Sequence, residues 1–183
     1  MITLQQLQEA SIGINFNDVK EAQKWYVDQA LKLAQVADKP FDTFTTGKMF
    51  LFYYDAKHKA TLPFFDRFPL VIPLGTAAGG FLGLNLHYLP PRARVQLLSA
   101  MAKDKNNDKN DDTTTLAAVN YNHLKTYSGS YPGFQSCIKH YLSGHVVSRF
   151  QYIDPKDWNK VALLPLQSWY INPDSKYAGS PPY

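Results

Sequence analysis

The chain is predicted to adopt an α+β fold, a small antiparallel sheet or SH3-like barrel flanked by helices. Three observations predict it. Apolar residues recur at three-to-four spacing from Asn17 to Ala37, an aromatic run occupies Met49 to Tyr54, and side chains alternate strictly from Phe81 to Tyr88. With 183 residues, of which 45% are apolar, the chain can build one well-packed core with short extensions, and two full domains are excluded.

The helix opens near Asn17, whose side chain can accept from an orphan N–H, and carries Val19, Ala22, Tyr26, Ala30, Leu33 and Val36 or Ala37 on one stripe. Asp38-Lys39-Pro40 ends it, since proline lacks the N–H and clashes with the preceding turn. Met49-Phe50-Leu51-Phe52-Tyr53-Tyr54 is too short for an ordinary helix and reads as a strand buried on both faces. In Pro69-Leu70-Val71-Ile72-Pro73-Leu74 two prolines remove ladder donors, so this strand lies at an edge or carries a bulge. GTAAGG, from Gly75 to Gly80, is expected to be a flexible hairpin connection. The next strand places Leu82, Leu84, Leu86 and Tyr88 on one face and Phe81, Gly83, Asn85 and His87 on the other, where His87 can hydrogen-bond at the sheet surface.

Pro91 suits the first position of a helix that continues RARVQLLSAMAK, with Val95, Leu98 and Ala102 inward and Arg92 and Arg94 at its solvent-facing start. Two arginines there oppose the macrodipole, which a bound anion would offset. KDKNNDKNDDTTT, residues 103–115, is expected to be a mobile loop. Short helices are expected around Leu116 to Leu124 and from Phe134 to Leu142, the second stopped by Gly144. Val146 to Ile153 returns to strand character, with Phe150 and Tyr152 on one face and Arg149 and Gln151 on the other. Asp154-Pro155-Lys156-Asp157 carries an N-cap carboxylate, a first-position proline and an early acid, and predicts a helix that buries Trp158, Val161 and Ala162. The organisation expected is an N-terminal helical extension over 1–46, a core over 47–166 and an extended C-terminal arm over 167–183.

Cys137 stands alone, so no disulfide framework exists and a reducing, cytosol-like medium is expected. The opening residues carry no secretory pattern, and no apolar run approaches the roughly 20 residues needed to cross a bilayer. His140 and His145 are spaced for neither a helical zinc pair nor a finger, and neither metal nor cofactor is expected. Asp55 and Asp66, with Lys57 or Lys59, could be drawn as a nuclease site. Asp66 in FFDRF more commonly pairs with Arg67 or a turn N–H, and no nucleophile elbow or phosphate-binding loop occurs, so no enzyme is expected.

The net charge of +4 is uneven. Residues 48–103 hold seven basic side chains against two acidic ones, while residues 1–47 hold four against six. Lys57, His58 and Lys59 on one loop, Arg67 on the next, and Arg92 and Arg94 after the last hairpin strand are expected to converge on one side of a small barrel. Phe64, Phe65 and Phe68 are interleaved with them. Such cations contact phosphates without reading sequence.

Four segments together resemble a known family: GKMFLFYYDAKHKATLPFFDRFPLVIPL, GGFLGLNLHYLPPRARVQLLSAM, FQSCIKHYLSGHVVSRFQYIDPKDW and VALLPLQSWY, covering about residues 47–170. They resemble the DNA end protectors of contractile-tailed phages. The resemblance implies a minor virion protein that binds the terminus of packaged linear DNA, blocks exonuclease attack and helps complete the head, without catalysis. It further implies a duplex DNA end and other virion proteins as partners, a possible homo-oligomer, and residence in the virion and, during assembly, in the host cytoplasm. Lys57, Lys59, Arg67, Arg92, Arg94 and Arg149 are then the expected phosphate contacts. The alternative is a structural assembly protein of the phage neck, tail or baseplate with protein partners only, since the proline- and tyrosine-rich tail lacks a basic finish.

Overall fold

A computed structural model describes residues 16–34, 44–61, 64–89, 93–99, 101, 134–164 and 170–171. The expected mobile loop at 103–115, the helix around 116–124, Arg92 and most of the C-terminal arm lie outside the described residues.

Helix α1 (Phe16–Ala34) leads to β1 (Phe50–Leu51), β2 (Phe64–Phe65), β3 (Leu70–Ala77) and β4 (Gly80–Asn85). Residues 93–99 form α2. There follow α3 (Phe134–Cys137), β5 (Ile138–Leu142), β6 (Gln151–Tyr152), α4 (Trp158–Leu163) and β7 (Tyr170–Ile171). Five strands make an antiparallel sheet in the order β5-β4-β3-β1-β6, and β2 pairs with β7 in a second, two-stranded ladder. A 3₁₀ turn at Ser143–His145 links the edge strand β5 to Val146, which bridges Tyr54 just past β1. Among the described residues β5 and β6 remain the two edges, so the predicted α+β fold is met as an antiparallel sheet with helices.

The sheet buries both faces. Met49, Leu51, Leu70, Ile72, Leu84 and Leu86 face a core completed by α1, α2 and α4, while Phe52, Tyr54, Val71, Phe81 and Tyr141 form a second, largely aromatic cluster. The period-two alternation of each strand sends neighbouring residues to the two cores. Within the second cluster Phe81 stacks on Tyr141 with centroids 5.3 Å apart, and Phe52 meets Phe150 edge-on at 4.9 Å.

Several sequence expectations are recovered with their physical causes. β3 is central and carries a bulge between Pro73 and Gly75, the solution that lets a proline sit inside a sheet. The Asp154 carboxylate accepts from the Lys156 N–H, Pro155 takes the first turn, and Trp158, Val161 and Ala162 are buried.

Others are corrected. The hairpin is not a flexible six-residue connection. Gly75-Thr76-Ala77 stay in β3, and only Ala78-Gly79 turn, with Gly79 at φ 72°. The strand from Phe81 ends at Asn85, whose side chain caps a 3₁₀ turn over Leu86–Tyr88. Only Phe50 and Leu51 of the aromatic run lie in the ladder proper. The expected helix from Phe134 is one turn long, and Ile138–Leu142 extends along β4 instead. Its cause is the glycine pair opposite. A Cβ on Gly80 would lie 1.8 Å from the Tyr141 carbonyl oxygen, and one on Gly83 would lie 2.3 Å from Val71 Cγ1 and 3.4 Å from the Tyr141 ring. Bare backbone at Gly80 admits the Tyr141 main chain, and bare backbone at Gly83 admits Val71 beneath it.

Candidate nucleic-acid interface

The exit of β1, the end of β2, the end of β4 and strand β5 meet around a pocket of about 510 Å³. Its polar floor is fully organised. Asp66 Oδ1 accepts from the Phe68 N–H at 3.1 Å, an Asx turn. Asp66 Oδ2 accepts from Asn85 Nδ2 at 2.9 Å and lies 2.8 Å from His87 Nδ1. Asn85 Nδ2 also donates to the Tyr141 hydroxyl at 3.1 Å, and Asn85 Oδ1 accepts from the His87 N–H. Burial pushes the Tyr141 phenol well above its ordinary range, with the nearby Asp66 charge adding to the effect, so it stays a neutral hydroxyl. Helix α1 locks the arrangement. The Tyr26 hydroxyl donates to the Phe68 carbonyl at 2.8 Å, and its ring meets His87 edge-on at 5.1 Å.

His87 is therefore not at the sheet surface; it is 2% exposed and held by Asp66. A buried carboxylate requires such partners, and the imidazole that the 3₁₀ turn after β4 brings beside it satisfies one. Of the two roles weighed for Asp66, the turn N–H is the one found. Asp55, the other carboxylate, pairs with Lys59 at 2.7 Å on the exposed loop. The two acids are thus engaged with separate partners, and among the described residues no group of three or more His, Cys, Asp or Glu could hold a metal ion.

The expected cations divide. Lys57 and Lys59 are exposed on the turn after β1, and Lys57 lines the pocket. Arg67 is exposed on the following loop, donates to the Tyr53 hydroxyl at 3.0 Å and lies over that ring at 5.4 Å. Its carbonyl accepts from the Tyr54 N–H, which fastens its loop to the end of β1. Arg149 is exposed beside Ser148, whose hydroxyl accepts from the Tyr53 N–H at 2.8 Å. Tyr53 thus gathers the segments that carry Arg67 and Arg149, and its ring stacks on Phe68 at 5.1 Å.

Arg94 does not start a solvent-facing turn. It is 0% exposed and donates through Nη1 to the Val161 carbonyl at 3.2 Å in the last turn of α4. A guanidinium there complements the negative end of the helix and ties α2 to α4. Arg92 lies outside the described residues.

Sequence reasoning missed Lys139 and weighed its pocket neighbour His140 for metal binding alone. Lys139 lines the pocket with its ammonium 4.1 Å from the Tyr88 ring centroid, and exposed His140 follows it. Burial pushes the Lys139 amine below its ordinary value. Alternation within Ile138–Leu142 was the available signal, hidden because the same residues also fit a helical spacing. Cys137, just before them, is buried, and burial raises its thiol above the ordinary range, so it is no nucleophile at neutral pH.

The chain matches the family described as Phage T4 terminal DNA protecting protein across residues 5–180. It belongs to that family. The match extends beyond the segments that carried the resemblance and includes α1. No curated protein and no solved structure matches the chain. Family membership makes this a phage protein concerned with protecting terminal DNA, in keeping with a virion component. Among the described residues no helix is long and apolar enough to cross a membrane.

Proposed function

We propose that the protein grips the end of linear phage DNA through phosphate contacts from Lys57, Lys59, Arg67 and Arg149, catalyses no reaction, and completes the filled head alongside other virion proteins. Assembly would take place in the host cytoplasm, with a homo-oligomer as one form in which several copies could encircle a duplex. The observation that carries the reading is the family match combined with exposed cations on loops fastened to one strand end through Tyr53 and Tyr54. Arg94, being buried, is set aside.

Each phosphate neutralised releases condensed counterions, so affinity for a blunt duplex should fall steeply with salt. A Lys57→Ala/Arg67→Ala pair should flatten the log–log slope by about two units. Undetectable or salt-independent binding overturns the proposal. One observation favours the assembly reading: Val27 and Leu31 are 51% and 56% exposed and four residues apart on α1. Under that reading Val27→Ser/Leu31→Ser removes the protein from particles; under the first it leaves duplex binding intact.

A further inference from the structure

We propose that the pocket between β5 and the loop after β1 is a terminal-nucleotide site, which takes the last base of a DNA strand inside and its phosphate at the lysine rim. The inference rests on the end-binding reading above and adds to it the feature that tells an end from the middle of a duplex.

Four properties of the pocket support this occupant. Its volume of about 510 Å³ lies in the range of small-molecule sites, about 300–1,000 Å³. Tyr54 and Phe65 give it an aromatic wall, the surface on which unpaired bases stack. Lys57 and Lys139 bring two positive charges, and exposed His140 stands beside them. Among the described residues Asp66 is the one carboxylate lining it, and both its oxygens are turned to internal donors: the Phe68 N–H, Asn85 and His87. An incoming phosphate therefore meets cations, with the acid already compensated.

Lys139 points most directly to an anion. Its ammonium is half-buried over the Tyr88 ring, and burial, which disfavours the charge relative to water, pushes the amine below its ordinary value. A phosphate at the rim would restore to this ammonium what burial removed.

The chemistry also explains selectivity for ends. An internal nucleotide is stacked on both sides and must be unpaired and unstacked before it can enter a pocket. A terminal nucleotide has one stacked face, and a single-stranded overhang has no pairing to lose. Contacts along phosphates, by contrast, are available anywhere on the duplex.

The test uses the full chain and three duplexes of equal length: both ends closed by hairpin loops, one blunt open end, and one open end with a single-nucleotide overhang. The open duplexes are prepared with and without a 5′-phosphate. Binding should be about tenfold tighter to the blunt open end than to the closed duplex, and tighter again to the overhang. Dependence on the 5′-phosphate assigns the bound nucleotide to the 5′ strand; independence assigns it to the 3′ strand. Lys139→Met should bring the open-to-closed ratio to within about twofold of unity while binding to the closed duplex is retained, and Lys139→Arg should restore it. Equal affinity of the unaltered protein for open and closed duplexes overturns the pocket assignment and leaves phosphate binding standing, as does a tenfold ratio that survives in Lys139→Met. Failure to bind any of the three overturns the end-binding reading itself. Should Lys139→Met not fold, Lys139→Gln, which keeps a polar head at the rim without the charge, is read in its place, with the same two outcomes.

Discussion

Asp66→Ala probes the floor of the pocket directly. The substitution removes the acceptor of three hydrogen bonds, from the Phe68 N–H, Asn85 Nδ2 and His87 Nδ1. Asn85 and His87 are 0% and 2% exposed, so the freed donors lie inside the fold and not in bulk water. An orphaned buried donor costs about 1–3 kcal/mol, and removing one member of a buried polar pair about 3–5 kcal/mol. Asn85 retains the Tyr141 hydroxyl, which limits the penalty on that side. A loss of about 3–5 kcal/mol follows, a large part of a typical stability of about 5–15 kcal/mol. With a urea dependence of about 2 kcal/mol per molar, the unfolding midpoint followed by tryptophan fluorescence should fall by about 1.5–2.5 M. Adding His87→Ala to Asp66→Ala should cost less than the two separate losses combined, since both break one interaction. A loss below about 1 kcal/mol, or strict additivity, would refute the account of Asp66 as the organiser of this floor. A metal-dependent nuclease activity abolished by Asp66→Asn at unchanged stability would revive the paired-carboxylate reading instead.

Gly80→Ala places a methyl group 1.8 Å from the backbone oxygen of Tyr141, where no side-chain rotation relieves the overlap. It should cost about 3 kcal/mol or more and part β4 from β5, whereas Gly75→Ala, with nothing within 4 Å, should stay within about 0.5 kcal/mol. Thermal unfolding of the two variants checks the contrast. Raising the pH should erode the open-end preference before it erodes binding to closed duplex. Lys139 loses its proton below the ordinary lysine value of 10.5, and losing that proton removes the charge facing the phosphate, a charge that binding to closed duplex does not use. Binding titrations at rising pH decide this, and parallel decline on both duplexes would contradict it.

Features legible in the sequence were those whose cause lies within a few residues. Asp154-Pro155 announces its turn because a carboxylate and a fixed φ act on the next N–H groups. Pro73 announces a bulge because a missing donor cannot sit in a regular central ladder. The α1 stripe and the family's long peptides were equally readable. The cations on the loops after β1 and β2 were placed correctly on exposed turns, since polar residues between apolar runs seek water.

Tertiary structure alone decided the remainder. Ile138–Leu142 fits both a helical and an extended period, and the choice falls to a strand far off in sequence, where Gly80 leaves space for the Tyr141 main chain. Arg94 has a basic sequence neighbourhood, yet a carbonyl at the end of α4 claims it. The pocket draws its walls from four separate stretches of chain, so no window of sequence contains it. Local propensity acts through neighbouring peptide groups, but burial and pairing act between residues that only the folded chain brings within a few ångströms; the site belongs to the second kind of force.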